Sequence, residues 1–248
     1  MAERIDATTW SIQGETVTLP VTITSARMAA AVFTTPAAEA RRVLAGSPLE
    51  PLTIFGRAVT VLMFIHYDEW VLKTYDEVGV GLLVRGPRRS AGPRSPGLHL
   101  VDLPVTGAFT REAGQDFWAL PKWLMAADLT FGPPARITVR DGETEVMHAS
   151  IGDGRLRLPF GTRLKLPAWS FLRHGAQAGR LLRGRLPMNL SGIRVGRGAY
   201  DVRLGEHPMA AKMTALGMLK RPLLTVSADR MTGSLGSFTA TAAPSPPS

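Results

Sequence analysis

One run of ten residues, 58–67, constrains the fold of this chain more than any other stretch. Its sequence, AVTVLMFIHY, is almost continuously apolar and rich in β-branched and aromatic side chains. Such a run is typical of a β-strand, and the absence of regular polar and apolar alternation predicts burial on both faces. We therefore expect this strand in the middle of a β-structured core.

The rest of the chain has mostly strand and turn patterns. Strands are predicted at 15–24, 28–35, 76–84 and 98–105, and hairpin turns at Asp141-Gly142 and Asp153-Gly154. Two helices are predicted, at 36–45 and 208–219, each with a proline in its first turn. This balance indicates an α+β fold that is mainly β, built as an antiparallel meander or barrel.

No repeat or linker divides the sequence, so residues 1–248 are predicted to form a single domain. The first fourteen residues lack a periodic pattern and are expected to be a loose arm, and 240–248 is expected to be a disordered tail. The chain has no run of eighteen apolar residues and no signal-peptide pattern at its start. A cytoplasmic protein without membrane contact is expected.

The strongly basic composition has two interpretations. The net charge is +9, and only five of the 29 basic residues are lysines. Arginines cluster in 85–94, which includes Arg85, Arg88, Arg89 and Arg94, and again in 180–197. The simpler interpretation is a solvated surface of loops and a strand edge. The alternative is a basic protein that binds nucleic acid, which salt would weaken steeply.

Residues that would indicate a cofactor or metal are missing from the sequence. There are no cysteines, so disulfides, thiolate nucleophiles and cysteine metal sites are excluded. The five histidines are widely scattered, and no complete dinucleotide, phosphate-loop or GxSxG motif is present. We therefore expect neither a cofactor nor a metal.

The segment 114–125, GQDFWALPKWLM, has the strongest chemical signal. It places Lys122 behind a proline and among Trp118, Leu120 and Trp123. Removal of a lysine from water disfavours its charged form and lowers its pKa. A neutral amine can attack a carbonyl group and form an iminium. A snorkelling lysine, or one that makes a cation–π contact, is the alternative that the residues leave open.

Three stretches together resemble the acetoacetate decarboxylase family. Gly114, Ala119, Pro121 and Lys122 match the segment in which that family has its Schiff-base lysine, an established example of a desolvated lysine nucleophile. The stretch 27–50 fits the family's early Arg, strand, helix and Pro-Leu-Glu pattern without a gap, and 75–77 fits its Tyr-x-Glu. The resemblance covers about 20–130, and 207–230 resembles the family's C-terminal helix more loosely.

The resemblance implies a fold and a set of roles. The fold would be a β-cone or barrel-like system of sheets around an apolar pocket, commonly in homo-oligomers. Lys122 would form the Schiff base with a small oxo acid or ketone, Arg27 would bind a substrate carboxylate, and Glu77 would handle protons or orient the substrate, with Asp76 as the alternative. The expected pocket residues are Trp118, Leu120, Trp123, Val61 and His66.

Two departures from the family pattern bear on the reaction. Trp123 stands where the family's decarboxylases have a second lysine, and Val61 or Leu62 stands where they have an acidic residue. The family default is decarboxylation of a 3-oxo acid such as acetoacetate. An aldolase-dehydratase or cyclase that uses the same lysine is the first alternative, and a protein that binds without catalysis is the second.

Overall fold

The computed structural model describes residues 2–87 and 95–241. Arg88, Arg89 and Arg94, and residues 242–248 of the expected tail, lie outside this described part. Within it, no helix is long and apolar enough to cross a membrane. Homo-oligomer formation stays a prediction.

The chain forms twenty strands and three helices within the described residues. The strands are β1 Glu3–Arg4, β2 Thr9–Ile12, β3 Glu15–Thr18, β4 Val21–Pro36, β5 Glu50–Pro51, β6 Thr53–Ile54, β7 Arg57–Trp70, β8 Tyr75–Arg85, β9 Pro96–Val105, β10 Lys122–Leu124, β11 Ala126–Thr130, β12 Ala135–Asp141, β13 Thr144–Ile151, β14 Leu156–Arg157, β15 Thr162–Phe171, β16 Leu181–Ser191, β17 Arg194–Gly196, β18 Tyr200–Leu204, β19 Leu224–Leu235 and β20 Thr239–Ala240. The helices are α1 Ala37–Leu44, α2 Ala108–Trp118 and α3 Pro208–Ala215.

Seven of the strands form a closed barrel. Their order is β19, β4, β7, β8, β9, β15 and β16, and β16 pairs with β19 to close the ring. All neighbours are antiparallel except β9 and β15, which are parallel. The prediction of a mainly β, barrel-like fold with few short helices is confirmed.

The predicted central strand is buried on both faces, as expected. In β7, Leu62 and Phe64 point out of the barrel and are fully buried. They pack in a core that also contains Ile137 and Met147 from a second sheet, β11-β12-β13-β18. The alternate positions of β7, such as Val61, face the barrel interior. Because both faces are covered by apolar neighbours, neither face needs polar residues.

The N-terminal arm is not loose. Strands β1, β2 and β3 form a three-stranded sheet, and Ile12 and Val17 of this sheet are buried. They pack in the core cluster that contains Phe109 and Phe117 of α2, a helix that the sequence analysis missed. The backbone N–H of Ala2 also donates to the Asp116 carboxylate, at 2.6 Å. The prediction of a loose arm was wrong because this short sheet buries its apolar side chains against α2.

Of the two predicted hairpins, only the first is present. Asp141-Gly142 joins β12 and β13, and Gly142 has a φ of 54°, which suits glycine. The second hairpin is wrong, because β13 pairs with β18 instead and Gly154 lies directly against the backbone of Val195. The prediction of a surface loop and strand edge for 180–197 is likewise wrong, since most of the segment is β16, which pairs with β15 on one side and β19 on the other.

His99 on β9 makes the fold sensitive to acid. It is buried, its Nδ1 lies 3.0 Å from the Trp169 carbonyl oxygen, and burial lowers its pKa from 6.5 to about 4. Between these two pKa values the unfolded chain binds the proton that the folded protein excludes. Stability contributed by neutral His99 is therefore lost as the pH falls from 7 to 4, by about 3 kcal/mol. Urea unfolding at both pH values should show this loss in wild type and in the exposed control His174→Gln, and a smaller loss in His99→Gln.

Candidate active site

The interior of the barrel contains a cavity of about 350 Å³. Its walls are the inward-facing side chains of the barrel strands, and almost all of them are apolar. Lys122 and Glu77 lie on the wall at one end, together with Tyr67, Trp70 and Tyr75. Val61, Trp118 and Leu120, three of the predicted pocket residues, also line the cavity.

The local backbone places the Lys122 side chain inside the barrel. Helix α2 ends at Ala119, which has a left-handed backbone with φ 51° and ψ 41°. The chain then reverses, and β10 pairs in parallel with β9, so that Lys122 lies opposite Leu103. The Gln115 side chain fixes this turn by donating to the Lys122 carbonyl oxygen, at 2.6 Å. Because side chains alternate along a strand, Lys122 faces the cavity and its neighbour in sequence does not.

Gly114 gives the lysine side chain its path. It lies one helical turn after Thr110 on the same face of α2, and a methyl group at Gly114 would lie 2.8 Å from Lys122 Cε. The stem of Lys122 therefore crosses α2 at the one position that has no side chain. Its Nζ then reaches Thr110 Oγ1, at 2.9 Å. This contact explains physically why a glycine precedes the lysine in the matched segment.

We expect Gly114→Ala to reduce amine reactivity about 100-fold, since a displacement of about 1 Å in a reacting group has an effect of this size. The fold should persist, because alanine is a better helix former than glycine. Stopped-flow measurement of imine formation with a ketone gives the rate. The control is Gly132→Ala, where a methyl group would have no neighbour closer than 4.0 Å. Equal rates in wild type and Gly114→Ala would contradict this account of Gly114.

Lys122 Nζ and the Glu77 carboxylate form a buried pair. Nζ lies 2.9 Å from Glu77 Oε2, and the two side chains are 3% and 8% exposed. Nζ also lies 3.3 Å from the Tyr75 hydroxyl. Burial lowers the pKa of Lys122, and the negative charge of Glu77 partly opposes this shift. The amine can therefore lose a proton more readily than an exposed lysine, and an acceptor is in contact with it.

Two tyrosines donate hydrogen bonds to the same carboxylate. Tyr67 donates to Glu77 Oε1 at 3.3 Å, and Tyr75 donates to Oε2 at 3.4 Å. Burial raises the pKa of both phenols well above its ordinary value, and the charge of Glu77 adds to this shift. Both phenols consequently stay protonated at neutral pH and act as fixed donors. They orient Glu77 toward Lys122.

The structure does not bring Arg27 to the cavity. In β4, Met28 lines the cavity, and Arg27 precedes it and faces the outside of the barrel. There the guanidinium is 3.0 Å from Asp68 Oδ1 and lies over the Phe131 ring. Its side chain is 42% exposed. The expectation that Arg27 meets a substrate carboxylate beside Lys122 is therefore not supported by its position.

His66 and Trp123 also lie outside the cavity, contrary to the prediction. His66 Nδ1 is 2.6 Å from Asp76 Oδ1 on the outer face of the barrel. Trp123 Nε1 donates to Asp102 Oδ1 at 2.5 Å, on the face of β10 opposite to Lys122. Both residues follow the alternation of their strands, and each neighbours an inward-facing residue. The same alternation places Glu77 inside the barrel and Asp76 outside it.

Three residues of the site were absent from the predicted set of catalytic and pocket residues. These are Tyr67, Tyr75 and Thr110. Tyr67 and Tyr75 are directly opposite each other in the pairing of β7 with β8, and their rings stack with centroids 4.6 Å apart. A hairpin prediction for 67–75 would have paired the tyrosines. Thr110 could have been found only from a helix prediction, which would place it four residues before Gly114.

No group of three or more acidic, histidine or cysteine side chains with the geometry of a metal site occurs among the described residues. The site thus consists of an amine, a carboxylate and two phenols at the end of an apolar cavity. The structural class is therefore a closed β-barrel with a buried lysine–carboxylate pair at one end of its cavity.

The chain belongs to the acetoacetate decarboxylase family, whose model matches residues 8–234. Among solved structures, acetoacetate decarboxylase from Legionella pneumophila is similar, with a TM-score of 0.66, 15% identity and coverage of 90% of this chain and 87% of that chain. The enduracididine biosynthesis enzyme MppR complexed with pyruvate has a TM-score of 0.63 and 16% identity, with coverage of 93% and 95%.

An acetoacetate decarboxylase-like enzyme from Sphingomonas wittichii RW1 has a TM-score of 0.60 and 14% identity, with coverage of 93% of this chain and 97% of that chain. Identities this low show a shared fold. A search of curated protein sequences finds no match to this chain. The family resemblance seen in the sequence is confirmed.

Proposed function

We propose that this protein is an enzyme that forms a Schiff base between Lys122 and a carbonyl compound. The observation that carries the proposal is the 2.9 Å contact between Lys122 Nζ and Glu77 Oε2 inside an apolar cavity. In this environment the pair can exist as a neutral amine and a neutral carboxylic acid as well as an ion pair. The neutral pair is the reactive form.

Lys122 and Glu77 together can perform every proton transfer that iminium formation requires. Neutral Lys122 attacks the carbonyl carbon, and one proton of the attacking nitrogen passes to the oxygen to give a carbinolamine. Protonated Glu77 supplies the second proton, with which this oxygen leaves as water. The products are an iminium cation on Nζ and the Glu77 carboxylate, whose opposite charges offset each other. The carboxylate can then take a proton from the substrate's α-carbon, which converts the iminium to a neutral enamine.

The iminium can react further by several routes. Decarboxylation of a 3-oxo acid is the family default, and it requires the substrate carboxylate to be held in the cavity. Among the described residues that line the cavity, no cation other than Lys122 is available for this. The site therefore favours the alternative reactions, which are aldol addition, dehydration and cyclisation. In these reactions the enamine forms by loss of a proton, and no carbon–carbon bond is broken before that step.

Reductive trapping tests this proposal. The protein is incubated with individual aldehydes, ketones and oxo acids, then reduced with borohydride, and the intact mass and peptide map are measured. A reduced adduct confined to Lys122, and absent from Lys122→Met, is expected. Lys212→Met is the matched control, because Lys212 is a second lysine paired with an acid, Asp102, outside the cavity. Binding of carbonyl compounds without any adduct would instead indicate a non-catalytic binder.

A further inference from the structure

We infer that the substrate of Lys122 is an uncharged ketone or aldehyde with an extended apolar chain, and not a small oxo acid. The inference rests on the Schiff-base function proposed above and specifies its substrate class. Three properties of the cavity carry it: its length, the chemistry of its walls and the balance of charge at Lys122.

The cavity extends well beyond the space that a three- or four-carbon acid would need. Glu77 lines one end, and Leu83, six residues further along β8, lines the other end together with Leu98 and Val59. Six residues of strand span about 20 Å. The volume of about 350 Å³ corresponds to on the order of ten water-sized groups, at roughly 30 Å³ each.

The walls of this space offer almost nothing to a charged ligand. Beyond the Lys122 end they consist of aliphatic side chains with a few aromatic ones and Thr60, whose hydroxyl donates to the Leu216 carbonyl oxygen. Those aliphatic side chains come from six of the seven barrel strands: Ala30, Val32, Val59, Val61, Met63, Leu83, Leu98, Leu100, Leu164, Leu166, Leu186, Met188 and Leu190. Burial of an apolar chain here would be favourable by about 25 cal/mol per Å².

Charge balance at the amine argues against a substrate carboxylate. Once the iminium has formed, its single positive charge is offset by Glu77, which lies within hydrogen-bond distance of Nζ. A carboxylate on the substrate would add a second negative charge beside Glu77 in a site without further cations among its described lining residues. An unpaired carboxylate in apolar surroundings is strongly disfavoured. Arg27, the residue that could have paired with it, faces Asp68 on the outside of the barrel.

A neutral ketone would place no second negative charge beside Glu77 and no unpaired charge in the apolar cavity. Its carbonyl carbon would lie at Nζ, and its chain would extend along the barrel toward Leu83 and Leu98. Val61 is placed to limit the depth of the chain, because it lies four residues along β7 from Ile65, the direct partner of Glu77. Four residues of strand correspond to about 13 Å. A larger side chain at Val61 should therefore shorten the chain that the cavity accepts.

The test compares trapped adducts at subsaturating concentration across methyl ketones from acetone to 2-undecanone. A matched pair, 2-octanone and 2-oxooctanoate, has equal chain length and differs in the carboxylate. We expect adduct formation to rise up to fourfold per methylene, equivalent to about 0.8 kcal/mol, until the chain fills the cavity. The neutral ketone of the matched pair should exceed its oxo acid at least 100-fold, and pyruvate and acetoacetate should give least.

One variant and its control test the depth of the cavity. Val61→Phe should move the optimum to shorter ketones, whereas Val71→Phe, at a side chain exposed outside the barrel, should leave the optimum unchanged. If Val61→Phe does not fold, the chain-length series and the matched pair, both measured with wild type, still test the proposed substrate class.

The outcomes separate the two proposals. Adducts that form on Lys122 with pyruvate, acetoacetate or 2-oxooctanoate as readily as with 2-octanone would overturn the substrate class and leave the Schiff base intact. A flat dependence on chain length would do the same. The absence of an adduct with every carbonyl compound would overturn both proposals.

Discussion

Replacement of Glu77 with glutamine should slow imine formation at Lys122 by about 10²- to 10⁴-fold. The amide keeps the size of the side chain but cannot take a proton from Nζ, at 2.9 Å, or supply one to the departing oxygen. It also leaves the iminium without a counter charge in an apolar cavity. Stopped-flow detection of the imine with a methyl ketone gives the rate, and the exposed Glu69→Gln is the control.

An increased rate of imine formation in Glu77→Gln would support a different role for Glu77. The charge of Glu77 raises the pKa of Lys122, so its loss should leave more of the amine neutral at pH 7. If Glu77 only held the lysine in its charged form, Glu77→Gln would accelerate imine formation. A rate equal to or above that of wild type would therefore contradict the acid and base role of Glu77.

Replacement of Lys122 with methionine should have the largest effect on stability and should also eliminate the imine. Glu77 would then be a buried acid without its partner, with only the tyrosine hydroxyls to contact it. Loss of one member of a buried pair typically costs about 3–5 kcal/mol of unfolding free energy. Urea denaturation at pH 7 should show a loss of this size relative to wild type.

The double variant Lys122→Met/Glu77→Leu separates stability from chemistry. An apolar pair in place of a buried ion pair is often neutral or stabilising, so most of the stability should return. The imine should stay absent, because no amine remains in the cavity. The exposed Lys165→Met is the control for a general effect of lysine loss on stability. A double variant as unstable as the single one would show that the barrel depends on the pair for packing.

The pH dependence of Lys122 has a defined sign. Burial lowers its pKa below the ordinary 10.5 of lysine, so in the window between the two values the unfolded chain binds more protons than the folded one. The contribution of this residue to unfolding free energy therefore rises with pH in that window and levels off above 10.5. The fraction of neutral amine rises over the same window.

Much of the barrel was predictable from sequence because its strands are long and apolar. The run 58–67 had few polar residues, and it lies between two buried layers, as expected. Strand β16 was missed because its arginines suggested a surface loop. In the barrel, Leu186 and Met188 line the cavity, and Arg185, which directly precedes Leu186, is exposed. The alternation of side chains along 181–191, and not the overall polarity of the segment, would have identified this strand.

The errors at the site have one physical cause. Val61 and His66 were both predicted to line the pocket, although they are five residues apart on one regular strand and so face opposite sides. Trp123 follows Lys122 directly, and strand alternation turns it outward in the same way. A resemblance aligns residues along the chain, but only the pairing of strands decides which of them face the cavity. Lys122 and Glu77 lie in contact because each occupies a position of its strand that faces the cavity.

The most direct measurement of the central claim is nitrogen NMR of the lysine amines. The chain has five lysines, so protein labelled with ¹⁵N at lysine Nζ should give at most five signals, and Lys122→Met identifies one of them. Addition of 2-octanone should move the Lys122 signal alone into the iminium range. All five signals unchanged, at a ketone concentration that saturates quenching of the cavity tryptophans, would contradict Schiff-base formation at Lys122.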